Sequence, residues 1–573
     1  MAKGYLVLVL HGHLPFVRHP EHEDSFEENW LYQAITEVYV PLLLVLDSLV
    51  DDKVDFRLTF SLTPTLVSML TDPFLQSRYL QRLERLIELS EKEVARTNWQ
   101  PEFQALAAMY CKQFKCVRSA FLDRYNGNLV EAFRRLQELG KLEIIASAAT
   151  HGYLPVLSIH PSAVRSQIQV GVEHYAATFG RKPNGFWLPE CGYYPGVDQL
   201  LTDHAIRFTI LETHGITRAQ PRPRYGVHAP LRCPSGLAAF GRDPGSSRQV
   251  WSAVEGYPAD YDYREFYRDI AHDLDFDSLQ RYVHRDGLRI NTGIKYYRIT
   301  GKTESKQVYV PQQAEKKAEI HAEHFLRSRE GQIEYLAPVM DRKPILVAPY
   351  DAELFGHWWY EGPLWLNHVI RKIARDPSSI HLATLSEYLA ECPALQPSAP
   401  PMCSWGRNGF SEVWLSPDNQ WIYPHLHRAA RVMEKLEQEC SRGDALTLRA
   451  LGQAKRELLL AQSSDWAFMI STRTTSEYAN TRIKGHLLNF NRLSDQVARS
   501  NIDEPWLAEV ESRDCIFPAD VLRPGTGCFV FSPSEFSLAS MSALASSPGR
   551  RTAPSLNSPQ VPHRRVPCEG GDS

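Results

Sequence analysis

The chain has 573 residues, 63 Lys plus Arg against 67 Asp plus Glu, and 43% hydrophobic residues. That is an ordinary globular composition, enough for roughly two to four domains at about 150 residues each. The near-balance of charge excludes a global field that would draw the chain to nucleic acid or an anionic membrane, and it suits a neutral partner. Ten scattered cysteines with no CxxC pair argue against a zinc ribbon or a disulfide framework, and so for a reducing compartment.

The first predicted element is a strand over 5–10, YLVLVL. Its apolar run is too short for a signal sequence, and no continuous run reaches the ~18 residues of a membrane span; the expectation is a cytoplasmic protein. HGH follows at 11–13, and because side chains alternate along extended chain, His11 and His13 point to one side. After a strand over 56–60 comes a helical insertion at about 71–140, with Asp72-Pro73 as N-cap and first turn and Gly140 just past the last helix. A strand over 142–146 leads into SAATHGYLP, which carries His151. The next, 185–188, runs into FWLPECGYYPG at 186–196, where Glu190 sits in an apolar run. Burying an unpaired charge costs several kcal/mol, so this carboxylate is either turned into solvent or used.

A strand over 208–211 precedes a segment at about 213–248 that is rich in Pro, Gly and Arg and lacks helical period; it predicts a long structureless lid or binding loop. The strands over 345–348 and 381–383 lead into PYDAELFGHWW, with Asp351, and TLSEY. Continuous apolar runs are strands buried on both faces of a parallel sheet. Strand, polar loop and helix, repeated about seven times, is the pattern of a β/α barrel that works at its C-terminal strand ends; a doubly wound open sheet fits the same pattern. The barrel unit is expected over 1–392, a Pro-rich linker over 393–402, an all-helical domain over 403–518 and a disordered Ser/Pro/Arg-rich tail over 523–573.

Glu190 and Asp351 both end strands on the working face, each wrapped in aromatics. Two such carboxylates are what glycosidic chemistry needs, one to attack or stabilise the anomeric carbon and one to protonate the leaving oxygen. The plain alternative for either acid alone is a helix cap or an arginine partner. His11 and His13 on a first strand also suit a metal-dependent amidohydrolase or deacetylase, with His151, His214, His357 and Asp351 as further ligands; otherwise these imidazoles bind sugar hydroxyls or orient the carboxylates. Trp405 and Trp414, in SWGRNGFSEVWL at 404–415, sit in a stretch too polar for continuous core. Asp465, in QSSDWAFM at 462–469, is a first-turn helix acid, or a substrate contact if the helical domain folds over the barrel mouth.

The motifs HGHLP, ATHGYLP (149–155), FWLPECGY, PYDAELFGHWW and QSSDWAFM, in this order and reaching from the N-terminus to about residue 515, resemble glycoside hydrolase family 57 and, within it, the α-1,4-glucan branching enzymes. The resemblance implies an incomplete seven-stranded (β/α)7 barrel whose helical C-terminal domain helps form the cleft. It implies a retaining mechanism with Glu190 as nucleophile and Asp351 as general acid/base, without metal or cofactor, acting on an α-glucan such as amylose or glycogen and making α-1,6 branches. His11, His13 and His151 would line the subsite of the glycosyl-enzyme, with Asp465 approaching from the helical domain. Trp30, Trp405 and Trp414 would bind glucan on either side of the cut, and Tyr225, in the long loop, is the candidate gate. An α-amylase or 4-α-glucanotransferase of the same family would use the same two acids, and a catalytically dead glucan binder would keep the aromatics. The tail after Pro518 departs from the family's ordinary ending.

Overall fold

The computed structural model describes residues 2–252, 255–282 and 287–522, so the predicted tail lies outside the described residues. Its ten strands are β1 (Gly4–Gly12), β2 (Leu58–Leu62), β3 (Leu142–Ser147), β4 (Gly185–Trp187), β5 (Phe208–Leu211), β6 (Leu231–Arg232), β7 (Ala238–Gly241), β8 (Ile345–Asp351), β9 (Ile380–Leu382) and β10 (Gln396–Pro397). β1 is buried along its whole length because it lies parallel between β8 on one edge and β2 on the other. From β2 the sheet runs in parallel through β3, β4 and β5 to β7. It then curls back: Arg242, just past β7, bridges Val347 of β8, and the Asp243 N–H donates to the Val347 carbonyl at 2.8 Å. This one bridge closes a ring of seven parallel strands into an incomplete barrel.

The seventh strand is not the one the sequence predicts. β7 lies inside the segment read as a structureless loop, and its four residues, AAFG, lack the β-branched side chains that mark a strand. The predicted seventh strand is β9, which among the described residues pairs only with the foot of β1, at Gly4 to Leu6, below β2 on the same edge. The supposed loop also holds the helices Thr213–Thr217 and Pro244–Trp251, and β6 antiparallel to β7. The Pro-rich linker is likewise bound: β10 pairs with β6, Ala399 bridges Gln220, and Cys403 bridges Tyr193.

The insertion after β2 folds as predicted, into helices Pro73–Arg96, Pro101–Ser119 and Leu129–Glu138. The Asp72 carboxylate caps the first by accepting from the Phe74 and Leu75 N–H groups, and Gly140 takes the left-handed φ of 67° that ends the last. One stretch, Glu28–Asp51, is long and apolar enough to cross a membrane, but 67% of its most apolar window is buried inside the protein, as in a core helix. Beyond the linker, Ile422–Cys440, Ala445–Ala461 and Ser476–Ala498 bury Met433, Leu458, Ile483 and Phe490 in the large core that also surrounds the barrel. No disulfide forms among the described residues.

Candidate active site

Strand parity delivers most of the site. Tyr5, Val7 and Val9 point into the barrel interior, as do Phe240 of β7 and Ile345 and Val347 of β8. Continuing each column by two or four residues brings His11 and His13, Arg242, and Asp351 to the mouth. Glu190 arrives by another route. β4 stops at Trp187, and the chain turns through Pro189–Cys191 with Glu190 at φ 62°, ψ 23° and Cys191 at φ 50°. A left-handed conformation costs a non-glycine residue about 1 kcal/mol or more. The helical domain holds this turn: the Trp405 N–H donates to the Glu190 carbonyl at 3.0 Å, and Tyr193 and Cys403 exchange backbone hydrogen bonds at 2.9 and 3.1 Å. His151 is also left-handed, at φ 56°, and is held the same way, its carbonyl accepting from the Ser464 N–H at 3.1 Å.

The Glu190 carboxylate takes two donors, Trp405 Nε1 at 2.8 Å on Oε2 and the Ser464 hydroxyl at 3.1 Å on Oε1. Burial pushes its pKa up to about 7; the Trp405 bond and His13 oppose this, while the charges of Asp465 and Asp351 add to it. Asp351 is likewise pushed up to about 7, by burial and then by Glu353, against His13 and Arg242. Among the described residues no donor bonds its carboxyl. Glu353 completes the group: burial lifts it to about 7 although Tyr39 Oη and the His13 N–H both donate to it.

His13 is the counter-charge. The Thr65 hydroxyl donates to the Leu14 carbonyl at 2.8 Å and so accepts from Thr63 at 3.1 Å. Thr63, its proton committed, must accept from His13 Nδ1 at 3.1 Å, while Asp465 accepts from Nε2 at 3.0 Å. Both ring nitrogens therefore carry hydrogen, which makes His13 an imidazolium. Its pKa agrees: burial works to lower it, but the charge of Asp465, with smaller help from Glu190 and Glu353, raises it above the usual value. Asp465 responds in kind, held below the usual range by the charge and hydrogen bond of His13 in spite of burial.

The structure thus brings together Glu190, Asp351, His11, His13, His151, Trp405 and Asp465. Three expectations change. Trp414 is 1% exposed and stacked on Tyr153 at 4.5 Å, so it offers no face to a sugar; it props the turn behind the site. Tyr225 takes a hydrogen bond from the Asp341 N–H and packs on Arg224 and Arg342. That places it on the chain leading into β8, at the strand end opposite Asp351, where it cannot gate the mouth. Trp30 packs edge-to-face on Tyr478 at 5.7 Å, beside the helical domain and not against either carboxylate. Sequence reading missed Ser464, Glu353 and Arg242, and an exposed platform on the loop after Asp351. There Trp358, 53% exposed, stacks on Phe266 at 4.2 Å. Trp358 was within reach because it lies in the quoted HWW run; Arg242 and Phe266 follow strands or turns with no local signal.

The metal reading meets an obstacle in the donors themselves. His13, His151 and Asp465 each offer a ligand atom within 4.8 Å of the others. However, His151 engages Ser464 through Nδ1 and His11 through Nε2, and both nitrogens of His13 are spent as donors. Binding a metal would break those bonds. His214 and His357 point elsewhere, to the Gly409 carbonyl and to Glu37.

Comparison with known proteins agrees with this geometry. The family model "Glycosyl hydrolase family 57" matches residues 7–398, and "1,4-alpha-glucan branching enzyme, C-terminal" matches 425–522. The 1,4-alpha-glucan branching enzyme of Thermococcus kodakarensis is 33% identical over 556 residues, covering 91% of this chain and 78% of the relative. Among solved structures, the alpha-amylase AmyC from Thermotoga maritima superposes with a TM-score of 0.84 at 42% identity, covering 91% of this chain and 99% of the other. A branching enzyme from Pyrococcus horikoshii superposes at 0.81 and 33% identity, covering 92% and 98%. A barrel that presents two acids at its strand ends, matched over most of its length by these relatives, leaves one placement: the chain belongs to glycosyl hydrolase family 57.

Proposed function

We propose that the protein cleaves an α-1,4 bond of a glucan and transfers the freed chain to a 6-hydroxyl, making an α-1,6 branch. The carrying observation is the unequal hydrogen bonding of its two acids. Glu190 receives two donors, which favour the ionised form, whereas Asp351 receives none among the described residues and faces Glu353, which favours the neutral form. Glu190 is then the nucleophile and Asp351 the acid. Asp351 gives its proton to the departing 4-oxygen as Glu190 bonds to the anomeric carbon and the C–O bond breaks. The Asp351 carboxylate then takes the proton of an acceptor 6-hydroxyl, whose oxygen displaces Glu190 from the glycosyl ester. Support for transfer comes from the helical region that resembles branching-enzyme C-termini and from the Trp358–Phe266 platform, whose apolar faces suit an acceptor sugar at the rim.

A second reading, hydrolysis, is favoured by the 42% identity to a structure described as an alpha-amylase; there water takes the place of the 6-hydroxyl. Incubation with amylose decides: new α-1,6 signals in the proton NMR spectrum are expected, and reducing ends without branches would replace the proposal with hydrolysis.

A further inference from the structure

The hydroxyl of Ser464 lies 3.1 Å from Glu190 Oε1 and 3.0 Å from His151 Nδ1, and it has one proton to give. An ionised carboxylate only accepts, so Ser464 donates to Glu190 and His151 Nδ1 must carry the hydrogen donated to Ser464. His151 is neutral, since burial and then the neighbouring His13 and His11 hold its pKa well below the usual value. Its Nε2 is therefore bare and accepts, at 3.1 Å, from Nε2 of His11. His11 is neutral for the same reasons, burial first and His13 second. Its Nδ1 is then an acceptor, and the Ser61 hydroxyl stands 3.1 Å away to donate. Each orientation is forced by the one before it, and all four side chains are buried. They come from β2, β1, the turn after β3 and the helical domain, and they converge on the turn after β4.

We propose that Ser61, His11, His151 and Ser464 form one directed hydrogen-bond relay that holds Glu190 in its ionised form, with Ser464 as the positioning residue at its end. Protonating Glu190 reverses the relay as a unit. The acid then donates to Ser464, Ser464 to His151 Nδ1, His151 Nε2 to His11, and His11 Nδ1 to Ser61, so that each of the four contacts keeps one donor and one acceptor in both senses. The catalytic consequence rests on Glu190 being the nucleophile, whereas the hydrogen positions do not. The ionisable groups that face Glu190 are His13 from β1, His151 and Tyr153 from the segment after β3, the neighbouring Cys191, Asp351 from β8 and Asp465 from the helical domain.

Neutron diffraction from deuterated crystals of the full chain at about pH 9 and about pH 5 reads the relay directly. At the higher pH deuterium is expected on His151 Nδ1 and His11 Nε2, and at the lower pH on His151 Nε2 and His11 Nδ1; the second pattern at high pH, or hydrogen on both nitrogens of either ring, overturns the proposal. In solution, Ser464→Ala should lower kcat about tenfold or more, the loss expected for a hydrogen bond to a charged group. KM should change little, the acid limb of the kcat/KM profile should move to higher pH, and Ser464→Thr should restore both. An unmoved acid limb in Ser464→Ala rejects Ser464 as the positioning residue. If Glu190→Gln keeps wild-type transfer, the nucleophile assignment falls while the deuterium positions still stand or fall on their own.

Discussion

At the scale of single residues, the site places several carboxylates around one imidazolium, and its pH behaviour follows. The proposed mechanism needs Glu190 ionised and Asp351 protonated, and both are pushed to about 7, so the pair titrates with two shared values. The kcat/KM profile should be a narrow bell near neutrality, falling in acid as Glu190 gains its proton and in base as Asp351 loses its own; a flat profile from weak acid to weak base would contradict the assignment. The same shift bears on stability. With a folded pKa near 7 against an ordinary value of 4.5, Glu190 weakens the fold progressively as pH rises through that window, and the cost is complete above it. Glu190→Gln should therefore abolish transfer yet unfold at a higher temperature than the parent at alkaline pH, by an amount of order 3 kcal/mol, with the gap closing towards pH ~4. The two tryptophans of the 404–415 segment should separate cleanly. Trp405→Phe removes a donor to Glu190 and should lower kcat while hardly moving the melting point. Trp414→Ala empties a buried site and should cost about 3–5 kcal/mol of stability, which thermal unfolding would show.

At the scale of elements, what was legible in the sequence was what parity and composition encode. HGH could be placed because two histidines two apart must share a face, and Glu190 and Asp351 because a charge closing an apolar run has few structural uses. β7 was not legible: AAFG has neither length nor branching, and only its neighbours make it a strand. Tyr225 failed for a related reason, since a loop defined by composition carries no information about which end of the barrel it covers. Trp414 failed because the polar residues flanking it are surface residues of a turn while its ring faces inward. Close packing also fixes the turn that carries His151. Gly171 lies mid-helix in Pro161–Phe179, and a Cβ there would stand 2.1 Å from the Ser147 carbonyl at the end of β3. Glycine in a helix costs up to about 1 kcal/mol, here offset by that close approach. Gly171→Ala should lower the unfolding midpoint by several degrees and reduce activity with it; a neutral effect would show that the helix can move off the strand freely.

At the scale of the whole molecule, the barrel and the helical region make one site. Ser464, Asp465 and Trp405 all come from beyond the linker, and each bonds a residue of the barrel mouth. A chain ending at residue 402 should therefore lack detectable transfer even where it remains soluble, and activity equal to the full chain would show that the mouth is complete without them. Exhaustive chelation should leave full activity, because the imidazole nitrogens are already bonded; loss restored by zinc would instead favour the metal-dependent class. The separation of Glu190 from Ser464 by 274 residues has a consequence in time. At a synthesis rate of about 5–20 residues per second, roughly a quarter of a minute to a minute passes between the two. Until residues 403–405 have been made the strained turn at Glu190 lacks its backbone partners from beyond the linker, and until Ser464 has been made its carboxylate lacks a donor, so the site is assembled only after both have emerged.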